Sequence, residues 1–392
     1  LAVPRAGRQG RRKGEGFALP WQKRYKEDMA RDVQALMAEM YRRGASDLVL
    51  TAGTPPQMRL HGLLTPSNPT PLTADDTREM AASLMNERQR RIFEERGSVD
   101  LAAALGEMVR FRVHVFRQRG AIALAIRQIA AKIPPFESLG LPESVREFAM
   151  APFGLVLITG PAGSGKSTTL AALIDHINHH RQGHVICLED PIEYVHRHLR
   201  CTVEQIEIGE DAPSFNEALR NVFRQTPDII MVGEMRDRET IALALTLAET
   251  GHLILATLHT QDTSNAINRV VDTFPSDQQD QIRMQLSMSL VGICSQQLLR
   301  ARDGSRRVMA CEVLKATSAV RNLIREGAVQ QLYSVLQTSR GEGMQTMEDS
   351  LWQLVALGLI TEDQALGRSG RPKEMLRILR AKGRPAGGGA AA

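Results

Sequence analysis

Gly160-Pro161-Ala162-Gly163-Ser164-Gly165-Lys166-Ser167 is a glycine, four free positions, then Gly-Lys-Ser, the spacing of a phosphate-binding loop. Its flanks matter as much as the loop. Upstream, Leu155-Val156-Leu157-Ile158-Thr159 lies between Gly154 and Gly160 and reads as a buried strand. Downstream, Leu170, Leu173, Ile174 and Ile177 recur at i, i+3, i+4 and i+7, one apolar face of a helix. Glycines here let backbone N–H groups curl around an anion with no Cβ in the way, and a helix N-terminus adds partial positive charge. Lys166 is then the cation for β- and γ-phosphates, and Ser167 the hydroxyl ligand for Mg²⁺. The sequence predicts a nucleoside-triphosphate site.

Further strand ends bring acids and an imidazole to where an α/β sheet places its ligand, the carboxyl ends of its strands. His184–Leu188 runs into Glu189-Asp190-Pro191-Ile192-Glu193, Asp228–Val232 into Gly233-Glu234, and Leu253–Leu258 into His259. Glu234 fits the acidic Mg²⁺-associated position, and Gly233 lets the backbone pass close by. Glu193 and Glu189 compete for the task of positioning an attacking water. Such a site works by in-line positioning and charge neutralisation, so a cation from outside the loop is expected. Arg110, Arg112 and Arg119 are the nearest intramolecular source, although their spacing alone reads as a solvated strand face. His176, His179, His180 and His184 read as surface groups rather than a metal cluster.

Composition narrows the class. Over 392 residues, 43% are hydrophobic and 24% charged, ordinary for a globular protein of two domains. Aromatics at 4% are too sparse for base-stacking platforms. Residues 1–27 and 368–392 each carry a net +6, so the +5 of the whole chain leaves the body at −7. A nucleic-acid face needs positive charge on the body, and none is expected here. No C-x-x-C pair occurs among Cys187, Cys201, Cys294 and Cys311, which excludes zinc-ribbon and thioredoxin-type sites; Cys187 and Cys294, in apolar runs, read as buried thiols. No apolar run is long enough to span a membrane, and the expected location is cytoplasmic.

Along the chain, residues 1–27 read as a disordered basic extension and 28–130 as a small α/β domain. In the latter, Met29, Val33, Leu36, Met37 and Met40 mark an amphipathic helix. Val109-Arg110-Phe111-Arg112-Val113-His114-Val115 alternates strictly, apolar residues toward a core and the others outward. Ala131-Lys132-Ile133-Pro134-Pro135 opens a linker taken to span 131–152. Alternating buried strands and helices over 153–367 require a mostly parallel sheet, with C-terminal helices beyond Ser318. Residues 368–392 read as a basic, low-complexity tail.

Taken together, these blocks resemble the secretion ATPase superfamily, and within it the twitching-motility, type IV pilus retraction ATPases (PilT-like). The resemblance rests on the Walker A loop Gly160–Thr168, the aspartate box Glu189–Tyr194, the Walker B segment Gly233-Glu234-Met235-Arg236-Asp237 and the histidine box from Glu249-Thr250-Gly251-His252 through Thr257-Leu258-His259-Thr260. Ala319-Val320-Arg321-Asn322-Leu323-Ile324-Arg325-Glu326 is similar to the motif the family associates with retraction. The resemblance implies a PAS-like N-terminal domain, a RecA-like P-loop ATPase domain, ATP and Mg²⁺ as ligands, and a homohexamer peripheral to a bacterial inner membrane. It further implies an inner-membrane pilus platform protein and a paralogous retraction ATPase as partners. By position Glu193 looks like the family's catalytic glutamate, with Glu189 behind it. His252 and His259 resemble a nucleotide-sensing pair, and Arg110, Arg112 and Arg119 resemble arginines that approach nucleotide. Pilus-assembly and type II secretion ATPases are the nearest alternative, and a nucleic-acid translocase a remote one.

Overall fold

The computed structural model describes residues 32–60, 62–106, 109–129 and 132–382. The expected extension over 1–27 and the last ten residues of the expected tail lie outside the described residues. The chain divides into two units, Leu1–Ala130 and Ala131–Ala392.

In the first unit, α1 (Val33–Arg42), α2 (Ala74–Leu84) and α3 (Glu87–Arg96) accompany a six-stranded sheet. Its strands are β1 (Asp47–Thr51), β2 (Gln57–Leu60), β3 (Leu63–Pro66), β4 (Ser98–Leu105), β5 (Val109–Gln118) and β6 (Ala121–Gln128), in the order β3-β2-β1-β6-β5-β4. Every neighbouring pair is antiparallel. The helical period of Val33, Leu36, Met37 and Met40 and the alternation of Val109, Phe111, Val113 and Val115 meet in one core with Leu48, Leu50 and Leu124. The other face of β5 is polar: Arg112 stands 3.7 Å and His114 3.2 Å from Asp100 on β4. A sheet with helices on one side only is the expected PAS-like arrangement.

The second unit holds a seven-stranded sheet in the order β13-β12-β7-β11-β10-β8-β9. Its strands are β7 (Gly154–Thr159), β8 (Gly183–Glu189), β9 (Cys201–Glu207), β10 (Ile229–Val232), β11 (Leu253–Leu258), β12 (Leu290–Arg300) and β13 (Arg307–Lys315). All pair in parallel except β13, which returns antiparallel on β12. Burial on both faces explains why β7, β10 and β11 read as unbroken apolar runs. Val156, Ile158, Val185, Cys187 and Leu255 pack under α4 (Glu143–Ala149) and α5 (Lys166–His180). Leu155, Leu157, Ile186, Ile230 and Ile254 pack under α6 (Phe215–Val222), α7 (Arg238–Glu249), α8 (Thr263–Asp272) and α9 (Gln279–Ser289). This is the RecA-like, doubly covered sheet.

Two expected boundaries change. The linker does not run to 152: Phe136, Val145 and Phe148 are buried in the core beneath α5, so from Lys132 onward the chain belongs to the second unit. The paired prolines prevent a strand there but leave the following apolar residues free to pack. The tail is not low-complexity throughout. Pro372–Lys382 forms a helix (α14) whose Met375 is fully buried, beside α12 (Met347–Ala356), α13 (Glu362–Arg368) and the β12–β13 hairpin. Met375, Ile378 and Leu379 recur at helical spacing, a signal masked by the surrounding arginines.

Candidate active site

Parallel register aligns the strand tips. Thr159 pairs with Leu258, Val232 with Ala256 and with Leu188, so the loops starting at Gly160, Gly233, His259 and Asp190 emerge at one edge of the sheet.

At Gly160 φ is +145°, and a Cβ there would stand 2.3 Å from the Gln296 carbonyl oxygen and 2.6 Å from Ser164 Oγ. Gly163 and Gly165 are left-handed, at φ +74° and +92°. Gly165 caps α5 with no side-chain bond, which leaves the first-turn N–H groups to an anion. Ser164 Oγ is buried without a hydrogen-bond partner. Lys166 Nζ donates to Gly160 O at 2.9 Å and to Pro161 O at 3.2 Å. Burial lowers its pKa, while the carboxylates of Glu234 and Glu193 pull it back up. Both acids therefore raise the proton affinity of the same ammonium group.

Glu234 leaves β10 through Gly233, where a Cβ would sit 3.0 Å from Leu188 O. Thr257 Oγ1 donates to Gly233 O at 2.6 Å and Met235 N to Thr257 O at 3.1 Å, pinning the loop to β11. The Glu234 carboxylate meets Arg236 at 2.6 Å and His259 at 3.2 Å. Burial works against its charge, but these two partners outweigh it and hold its pKa below the ordinary value.

Glu189 and Glu193 separate by environment. Glu189 is buried; desolvation pushes it up to about 7, against the hydrogen bond it accepts from Gln205. Its second oxygen accepts from Glu193 N at 3.4 Å. Glu193 itself is exposed, free to take a water.

His252 and His259, the expected pair, sit at opposite ends of β11. His252 is at the amino end, where its backbone carbonyl accepts from Gly154 N and its ring nitrogen lies 3.0 Å from Leu247 O. The strand separates it from His259, so only His259 reaches this edge. Arg110, Arg112 and Arg119 belong to the first unit, where Arg119 adopts a φ of +47° in the β5–β6 turn. In the expected retraction motif, α10 (Ser318–Arg325) buries Val320 and Ile324. Arg321 donates to the carbonyls of Ser287, Met288 (2.7 Å) and Leu290 (2.9 Å) at the end of α9. Ala319, Asn322, Arg325 and Glu326 remain exposed. The His176 and His180 rings meet at a tilt of 31° with centroids 4.1 Å apart, and among the described residues no group of three or more His, Cys, Asp or Glu could hold a metal.

Sequence reasoning missed three polar supports. Gln296 on β12 donates to Ser164 O at 2.8 Å and accepts from Thr169 Oγ1 at 3.0 Å, bracing the loop. Gln205 on β9 and the Tyr194 hydroxyl, 2.9 Å from Thr168 Oγ1, hold the acidic loop. Gln296 and Gln205 belong to no local motif, and the pairing of distant strands brings them in; Tyr194 closes the aspartate box, but its hydroxyl's partner lies 26 positions away. A cavity of about 850 Å³ opens beside Gly165 and Thr168, with Leu139, Leu141, Leu298 and Met309 in its lining. Its size and apolar walls suit a nucleoside.

The family model for type II/IV secretion system proteins matches residues 22–367. The chain belongs to this family. Among its relatives, the type IV pilus retraction ATPase PilT of Pseudomonas aeruginosa is 44% identical over 87% of this chain and 99% of its own length. The type IV pilus ATPase PilU of the same organism is 43% identical over 86% and 88%. The crystal structure of the pilus retraction motor PilT with bound ADP superposes at a TM-score of 0.83, with 46% identity over 88% of this chain and 99% of that one. The secretion-family fold extends to the Legionella pneumophila ATPase DotB, at a TM-score of 0.76 and 26% identity over 88% and 94% of the two chains. Among the described residues no helix is long and apolar enough to cross a membrane.

Proposed function

We propose that this chain is an ATP-hydrolysing motor of type IV pilus retraction. The observation that carries the reading is the glycine loop at the tip of β7, with Lys166 Nζ held by the Gly160 and Pro161 carbonyls and the buried Ser164 hydroxyl lacking a partner, at the sheet edge from which Glu193 and Glu234 also emerge. ATP is the substrate, with its phosphates on the N-terminal turn of α5 and its nucleoside in the adjoining cavity.

Lys166 exchanges its two loop carbonyls for phosphate oxygens. Glu193 orients the attacking water, and the neighbouring Glu189 keeps the loop in place. Ser167 and Glu234 offer hard oxygen donors that fit Mg²⁺, which supplies neutralising charge on the phosphates when bound. His259 and Arg236 fix the Glu234 carboxylate from the protein side.

The working form is a homohexamer at the cytoplasmic face of the inner membrane. There Arg110, Arg112 and Arg119 approach nucleotide, and domain movements pass to the platform protein. A paralogous retraction ATPase is a second partner. Retraction is favoured over secretion because the type II secretion protein HxcR is only 33% identical and this chain covers 48% of its length, whereas PilT is covered almost whole. A clean deletion in the piliated source bacterium tests the role. Excess, immobile surface pili are expected; bald cells would mean an assembly motor instead.

A further inference from the structure

We propose that Tyr194 and Gln205 are positioning residues that hold Glu193 over the nucleotide by clamping the acidic loop to the first turn of α5. This rests on the reading above, in which Glu193 orients the water. The difficulty it resolves is geometric. Glu193 is exposed and lies between β8 and β9, outside any helix or strand. A reacting constellation has to be held within about 0.5 Å of its productive geometry, and an exposed loop does not achieve that unaided.

Its neighbours supply the constraint. The Gln205 amide nitrogen donates to Glu189 Oε1 at 2.8 Å and to Tyr194 O at 2.7 Å. The same amide's oxygen accepts from His196 N at 2.9 Å. One side chain thus ties down the residues on both sides of Glu193, and Glu189 accepts from Glu193's own N–H at 3.4 Å. Tyr194 adds the link to substrate. Its hydroxyl is 2.9 Å from Thr168 Oγ1, in the helical turn that also carries Lys166 and Ser167. The loop is therefore referenced to the element that holds the phosphates and not only to the sheet. A single half-buried hydroxyl pair adds little to stability, whereas a misplacement of about 1 Å at a reacting centre costs about 100-fold in rate. The bond matters more for alignment than for folding.

The test uses the full chain with Tyr194→Phe, which keeps the ring and removes only the hydroxyl, and with Gln205→Glu, which keeps the acceptor for His196 N and removes both donors. Phosphate release, fluorescent ATP-analogue binding and thermal melting are measured for each variant, alone and combined with Glu193→Gln. The expected result is a kcat lowered about 10- to 100-fold with KM and analogue affinity little changed; the melting temperature holds for Tyr194→Phe and falls for Gln205→Glu, whose new carboxylate faces Glu189 and the Tyr194 carbonyl. Neither substitution should cause further loss once Glu193 is already Gln. Turnover by Tyr194→Phe at the wild-type rate, or losses that multiply in the Glu193→Gln background, would overturn the proposal. Glu193→Gln hydrolysing like wild type would instead overturn the underlying reading, whatever Tyr194 does.

Discussion

His259 Nε2 lies 3.2 Å from Glu234 Oε1, joining the tip of β11 to the tip of β10. The contact ties one histidine of the histidine box to the acid at this sheet edge. His252, at the opposite end of β11, instead bonds to the end of α7 through its contacts with Leu247 O and Thr250.

Glu234→Gln should keep ATP affinity while its turnover falls by about 100-fold, since the glycine loop and Lys166 still hold the phosphates while the carboxylate's charge is lost to the reaction. His259→Ala should lower kcat in the same direction by a smaller factor. His252→Ala should leave the isolated subunit's affinity for an ATP analogue unchanged and lower stability by about 1 kcal/mol, the value of its bond. Analogue titration, phosphate release and chemical denaturation separate the three.

The loop glycines should differ in cost. Gly160→Ala drives a methyl into the Gln296 carbonyl at 2.3 Å as well as occupying a φ of +145°. It should destabilise by about 2–4 kcal/mol and abolish ATP binding. Gly163→Ala meets nothing within 4 Å, so only its φ of +74° counts, about 1 kcal/mol. Urea unfolding of the two variants checks the ranking.

In α10, Asn322→Ala with Arg325→Ala alters only exposed groups and should leave melting temperature and ATPase rate as in wild type while stopping twitching. Arg321→Ala should behave differently. It frees three carbonyls at the end of α9 and should lower stability by about 1–3 kcal/mol. Twitching assays beside thermal melts distinguish a motor defect from a folding defect.

Stability should carry a pH signature from Glu189. Its native value of about 7 lies above the ordinary 4.5, so the native state holds more protons between those limits. Its contribution is then full below pH 4.5 and is lost as pH rises through 7. Glu189→Gln, a neutral stand-in, should flatten this fall and be more stable than wild type at pH 8, by up to about 3 kcal/mol. His196, buried and lowered from 6.5 to about 4, works in the opposite sense: its contribution is full above 6.5 and is lost as pH falls toward 4. Denaturation curves from pH 5 to 8 measure both slopes.

The sheet edge was legible in the sequence because each element there is local. Leu155–Thr159 needs only its own apolar run to be a buried strand, and Gly160–Ser167 needs only its own spacing. Alternation likewise sufficed for Val109–Val115. What escaped notice depends on distant partners. Gln296 looks like any polar residue in a strand until β12 is laid beside β7 and its amide reaches Ser164, 132 positions away. Gln205 becomes a clamp only when β9 joins β8. Phe136, Val145 and Phe148 were hidden by the prolines before them, and Met375 by the charge around it. The histidine box spans an extended strand, so the six residues between His252 and His259 place them at opposite ends of β11.

The measurement that decides whether triphosphate is split in this loop is steady-state phosphate release, with magnesium, by purified full-length chain and by Lys166→Ala, each after ATP-induced oligomerisation is checked by light scattering. The wild-type chain should release phosphate continuously, and Lys166→Ala, deprived of the ammonium that the Gly160 and Pro161 carbonyls hold in the loop, should fall to background. Equal rates from the two proteins, or no release from either, would contradict it.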